Sequence, residues 1–142
     1  MATRVVSGDE FRSIVSKIAD AAAKLGDPQL MISIIVLTGD RITCCDEAIV
    51  FDDDPQRGIA IIASEGEEQS GQSTIVGVYV RPADRRKGHG AELLSAAVRR
   101  CIARGFDNIR VDVMSRASEG TVEKLPDVLP VHLDVHRVPT GL

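Results

Sequence analysis

Tryptophan is absent from this chain, tyrosine occurs once, at Tyr79, and phenylalanine three times in 142 residues. The core must therefore be built from Val, Ile, Leu and Ala. Stacking platforms for single-stranded nucleic acid need aromatic rings, so that class of function has little support. The charge does not supply it either: 17 basic residues stand against 21 acidic ones, a net charge of −4, whereas nucleic-acid binders are basic. The longest apolar run, Leu30–Leu37, is too short to cross a bilayer. The N-terminus has no apolar signal core. Three cysteines, Cys44, Cys45 and Cys101, show no Cys-x-x-Cys spacing and read as reduced thiols. These absences make a soluble cytoplasmic protein the expectation, with residues 1–142 forming one domain of ordinary size.

What is present is a mixture of helical and strand patterns. Ser7 or Asp9 caps an expected helix, whose stripe is Phe11, Ile14, Val15, Ile18, Ala22 and Leu25. Gly26-Asp27-Pro28 stops it. Leu30–Thr38 reads as a buried strand or a short buried helix, which periodicity cannot separate. Glu47–Phe51 and Gly58–Ala63 read as strands, and Asp52–Pro55 as a turn between them. Ser73–Val80 is apolar on both faces and so central in its sheet. Gly88–Arg104 carries an amphipathic stripe of Ala91, Leu94, Val98 and Cys101, widened by Ala97 and Ile102, and Gly105 ends it. Asn108–Ser115 alternates as a strand, and strand–helix–strand order makes it parallel to Ser73–Val80. Val131–Val138 is a candidate edge strand. The expected class is α/β, with a mixed sheet.

The segment that carries chemistry is Arg85-Arg86-Lys87-Gly88-His89-Gly90, between a buried strand and a helix N-terminus. Glycines let backbone approach a ligand closely. The first N–H groups of a helix lack internal partners and sit at the positive end of its dipole, which favours an anion. Arg81, Arg85, Arg86 and Lys87 add positive charge in a chain that is acidic overall. A Walker loop needs Gly-Lys-Ser/Thr, which is missing. A dinucleotide loop needs a glycine where this chain has Leu93.

With Arg85-x-x-Gly88-x-Gly90, a preceding Val78-x-Val80-x-Pro82 and a following Leu93-Leu94, the chain resembles the GNAT superfamily of N-acetyltransferases, whose signature is Gln/Arg-x-x-Gly-x-Gly/Ala. The resemblance spans about Gly58–Ser115. It implies an antiparallel N-terminal meander joined to a splayed parallel strand pair, and acetyl-CoA as cosubstrate. Main-chain groups of Val78 and Val80 would bond the pantetheine arm like an added strand. The loop residues Arg85, Arg86, Lys87, Gly88, His89, Gly90 and Ala91 would hold the pyrophosphate. The reaction would be direct acetyl transfer to an amine that has lost its proton, with amides near Val80 polarising the thioester.

The chain departs from the family after the strand that ends at Ser115. The usual Asn and Tyr are not found in Ser115–Leu125, and the tail is short, so the last strands of the family are expected to be incomplete. Glu65, near the expected cleft with Glu67 and Glu68, is the candidate base, against the reading of a solvated loop. Tyr79 is a candidate acid, against packing or a substrate wall. Ser115 or Ser118 is a candidate stand-in for the family's tyrosine. His89 reads as a loop residue, and Cys44-Cys45 as small buried residues without an activating base. Asp52–Asp54 could hold a cation, although turn chemistry accounts for them. His132 and His136 lack an evident third ligand, so no metal site is expected. A non-catalytic acyl-CoA-binding module is the alternative to an enzyme. A homodimer, or another chain completing the sheet, is a further expectation. The acceptor amine is a small molecule or a protein; no nucleic-acid or membrane partner is expected.

Overall fold

The computed structural model describes residues 2–25, 47–63, 72–113 and 132–137. Strand β1 (Thr3–Ser7) leads directly into helix α1 (Gly8–Leu25), followed by β2 (Glu47–Phe51), β3 (Gly58–Ala63) and β4 (Gln72–Val80). A 3₁₀ turn (Pro82–Asp84) connects β4 to helix α2 (His89–Ala103), and β5 (Asn108–Val113) and β6 (His132–Arg137) complete the order. One six-stranded sheet holds the strands in sequence order. β1 to β4 are antiparallel neighbours. β4 with β5 and β5 with β6 are parallel. The mixed sheet, its antiparallel meander, the central place of β4 and the edge place of β6 agree with the sequence expectations. Leu30–Thr38, Cys44, Cys45, Glu65, Glu67, Glu68, Ser115 and Ser118 lie outside the described residues.

Two differences are informative. β1 was not expected: only Val6 of its five residues is buried, so its sequence carries almost no apolar alternation. Its pairing with β2, Thr3↔Phe51 through Ser7↔Glu47, creates it. Leu25, expected on the α1 stripe, is 60% exposed at the last position of the helix. The rest of the stripe, Phe11, Ile14, Val15, Ile18 and Ala22, is buried as its spacing requires.

The sheet has an apolar layer on each face. Under α1 lie Val6, Ala48, Val50, Ile59, Ile61, Val76 and Tyr79. Under α2 lie Ile49, Phe51, Ala60, Ile62, Ile75, Ile109 and Val111, packed against Leu93, Leu94, Ala97, Val98 and Cys101. α2 ends in a Schellman motif. Gly105 is left-handed at φ 92. The Phe106 N–H donates to Cys101 O at 3.1 Å and the Gly105 N–H to Ile102 O at 2.9 Å. Glu47 is buried at the same end and accepts two bonds from Arg100, at 3.0 Å each, and one from Arg104 at 3.2 Å. This is the pairing a buried carboxylate needs, and it ties β2 to the last turns of α2. Among the described residues no helix is long and apolar enough to cross a membrane.

Candidate active site

The site begins where β4 and β5 part. Their pairing runs only from Gln72↔Asn108 to Ile75↔Val111, although β4 continues to Val80 and β5 to Val113. At the same place the register with β3 slips: Ile62 pairs with Ile75, but Ile61 pairs with Gly77. Val76 is the extra residue of a β-bulge, a feature that bends a strand and increases its twist. The bulge and the end of the β4–β5 ladder coincide. Past that point β4 has no described neighbour on its β5 side.

The backbone groups of this open segment can be assigned a direction. The Arg81 N–H donates to Arg57 O at 2.8 Å, extending the β3–β4 ladder by one pair. Hydrogen-bonded pairs alternate along an antiparallel ladder. Tyr79 and Gly77 therefore bond to β3, while the N–H and C=O groups of Val78 and Val80 point into the fork. The Val80 carbonyl is taken: Arg85 Nε donates to it at 2.9 Å. The Arg85 guanidinium also lies over the Tyr79 ring, 5.9 Å from its centre. Arg85 thus fastens the loop to the strand end.

The loop beyond has unusual backbone geometry. Arg86 is left-handed at φ 65, the only such residue that is not glycine among those described, and Gly88 follows at φ 82. Gly88 is the N-cap of α2 and supplies no side-chain cap. The first helical bond is Glu92 N–H to Gly88 O at 3.1 Å. The backbone N–H groups from Arg86 to Ala91 donate to no described residue. Together they form a run of donors at the positive end of a helix, where an anion is favoured.

The four cations are not equivalent. Arg81 is held by Asp84 at 2.6 Å and Asp54 at 3.1 Å. Arg57, bidentate to Asp53 at 2.9 and 3.0 Å, lies 4.0 Å from Asp84. Lys87 Nζ is 3.9 Å from the same carboxylate. The Arg81 hydrogen bond, foremost, holds the Asp84 carboxyl below its ordinary pKa, with Lys87 and Arg57 adding to it. Arg86 alone of the motif's cations has no partner among the described residues, and it is exposed. The turn Asp52–Pro55 was legible in the sequence; its acids pair separately, Asp52 with Arg4, Asp53 with Arg57 and Asp54 with Arg81.

His89 opens α2 rather than lying in the loop. Its ring meets Phe51 edge-on, centroids 5.1 Å apart. Its buried Nδ1 makes no hydrogen bond and lies 3.9 Å from Glu92. Tyr79 is in the apolar layer under α1, and burial raises its pKa against the opposing pull of Arg85 and Arg81. Asp112, a polar position in the alternating strand β5, is 4% exposed. It follows the last β4–β5 rung directly. Among the described residues no group of three His, Cys, Asp or Glu is placed to hold a metal ion.

The sequence profile of the acetyltransferase (GNAT) family matches residues 40–122. That is more than half of the chain, and it takes in the bulged strand, the loop and α2. The protein belongs to the GNAT family of acetyltransferases. Membership makes it an acyl-transferring enzyme of a family that typically uses acetyl-CoA. The crystal structure of YycN from Bacillus subtilis, itself assigned as an acetyltransferase only provisionally, superposes with a TM-score of 0.52 at 18% identity, over 90% of this chain and 96% of that one. At that identity the likeness establishes the fold alone. No curated protein matches the chain.

Proposed function

We propose that this GNAT-family enzyme binds acetyl-CoA and passes the acetyl group directly to a primary amine. The observation that carries the proposal is the pairing of two open features at one end of β4. A run of N–H donors with no partner among the described residues extends from Arg86 to Ala91 at the start of α2, and a strand edge at Val78 and Val80 opens on the fork. An elongated molecule with a pyrophosphate at one point and an amide-bearing arm beyond it suits both. Arg86, Lys87, Gly88, His89, Gly90 and Ala91 would hold the pyrophosphate through their amides. The exposed Arg86 would add charge, and its left-handed strain is the kind retained at ligand clamps. Val78 and the Val80 N–H would bond the pantetheine arm as an added strand. Arg85 would act by shaping this edge.

The thioester would lie in the fork, where the amides by the Val76 bulge could polarise its carbonyl. For proton transfer, Glu65 as base and Tyr79 or Ser115 as acid remain our candidates. Tyr79 is protonated at neutral pH, since a phenol's ordinary pKa is about 10 and burial raises it further. We further propose that residues 1–142 act as one domain in the cytoplasm, alone or as a homodimer.

The test is thermal. Acetyl-CoA should raise the melting temperature in proportion to its affinity, by RT ln(1 + [L]/Kd) in stability. Arg86→Glu should remove most of that shift. A shift from acetyl-CoA no larger than that from adenosine would overturn the reading.

A further inference from the structure

We propose that His89 is a positioning residue whose imidazole takes up a proton when a diphosphate binds at the start of α2, so that coenzyme A binding is linked to pH; this rests on the acetyl-CoA reading above.

His89 is the first residue of α2, and its own N–H belongs to the donor run. Its side chain takes the other direction. At helical spacing it shares the face of Leu93, which packs on the sheet. The ring is 12% exposed and stands at 70° to the ring of Phe51. Nδ1 is inaccessible and has no hydrogen-bond partner. A buried polar atom left this way is costly, and native proteins keep few of them. The charges around the imidazole come from three elements. On α2, Glu92 Oε2 is 3.9 Å from Nδ1. Beyond Phe51, just before β3, the Arg57 guanidinium lies over that ring at 5.4 Å, paired with Asp53 and 4.0 Å from Asp84. In the loop are Lys87, 3.9 Å from Asp84, and the exposed Arg86. β2 itself offers only the apolar ring of Phe51.

These neighbours pull in opposite directions until an anion arrives. The positive end of the helix dipole disfavours a cation at its first residue, and Arg86 and Lys87 add to that. A bound diphosphate reverses the field at the same helix end. The imidazole can then take a proton from solvent, and Nδ1 becomes a donor facing the Glu92 carboxylate. A small side-chain adjustment closes 3.9 Å to a charge-assisted bond. The orphaned nitrogen gains a partner, and the first turn of α2 is fastened under the bound phosphates. Linkage is reciprocal: a ligand that favours protonation is itself favoured by it, to the same factor. Affinity for a diphosphate should therefore be higher at low pH and fall as pH rises through the range where imidazoles titrate. A phosphate monoester has the opposite sign, because it loses charge near pH 6 as pH falls. 3′-Dephospho-coenzyme A keeps the diphosphate without the monoester, so it isolates the effect.

The experiment is isothermal titration of the full chain with 3′-dephospho-coenzyme A, from about pH 5.5 to pH 8.5. Repeating it in buffers of different ionisation enthalpy counts the protons taken up. The wild type should take up part of a proton near neutral pH and bind about fivefold more tightly, or better, at the acid end. His89→Asn and His89→Gln keep a polar side chain that cannot be protonated. Both should lose the proton uptake and the rise at low pH, and Glu92→Gln should shrink the rise. If His89 only packed the helix start, its variants would bind more weakly at every pH with the wild-type slope intact, which would overturn the proposal. No proton uptake in the wild type, or an affinity that rises with pH, would overturn it without any variant. A wild type that binds neither coenzyme A nor its dephospho form at any pH would instead refute the earlier reading, on which this one rests.

Discussion

Gly58 sets how closely α2 can approach the strands that hold the site, and Gly58→Ala tests that packing. Gly58 opens β3 opposite Val80. A Cβ built there would lie 2.8 Å from the Tyr79 carbonyl oxygen and 2.9 Å from Leu93 Cδ1. The Leu93 methyl could rotate away, but Leu93 is fully buried and has little room. The Tyr79 oxygen belongs to the β3–β4 ladder and can move only with the strand. Relief must therefore come from separating β3 from β4, or α2 from both. Overpacking of this kind costs about 1–3 kcal/mol. For a chain of this size each kcal/mol lowers the melting temperature by about 2–4 °C, so a fall of roughly 2–12 °C is expected. Calorimetry measures it directly. The same displacement would move Val80 and the start of α2 apart, so coenzyme A should bind more weakly than in the wild type. A variant melting within a degree of the wild type and binding coenzyme A normally would refute the close approach on which the site geometry depends.

Other perturbations separate backbone from charge. Gly88→Ala meets no atom within 4 Å, so its only cost is the left-handed backbone, roughly 1–2 kcal/mol. If coenzyme A needs that conformation, isothermal titration should show its affinity falling about tenfold, since 1.4 kcal/mol is a factor of ten; unchanged affinity would count against the loop as the anion site. For Asp84 the sign is set by its lowered pKa. Its contribution is present above the ordinary carboxylate range and lost as pH falls through the lowered value. The wild type should therefore melt above Asp84→Asn at pH 7 and pH 5, and the difference should shrink toward pH 3. A difference independent of pH would show that the Arg81–Asp84 pair is not its source.

Local patterns in the sequence were enough to find the loop, α2 and the strands on either side. Glycine at 88 and 105, the apolar stripe of α2 and the alternation of β5 are all consequences of nearby residues. What stayed hidden depends on residues far apart in the chain. Arg81, Arg85, Arg86 and Lys87 looked like one basic cluster because Asp54, 27 positions from Arg81, reaches the loop only through the fold. β1 exists because β2 pairs with it. Asp112 is buried although it alternates with apolar residues, because alternation says which face a side chain takes, not whether something covers that face. The Val76 bulge had one mark in the sequence, Gly77 inside an otherwise apolar strand, since a glycine in a strand interior often accompanies a bulge.

That bulge has a second consequence, which joins the two halves of the site. Ile75 faces α2 and Val76 faces α1. Strict alternation would send Val78 and Val80 to the α1 face and Tyr79 to the α2 face. The opposite is found: Val78 and Val80 pack with the α2 layer and Tyr79 with the α1 layer. The slip at Val76 exchanges every side chain downstream. It places small valines on the face where α2 and its N–H groups lie, and leaves the ring of Tyr79 on the face that carries Asp112. One inserted residue thus bends β4 where it leaves β5 and sets which side chains line each face of the gap. Val78 and Val80 meet the face of α2, and Tyr79 the opposite one, because β4 changes phase at the residue where the fork begins.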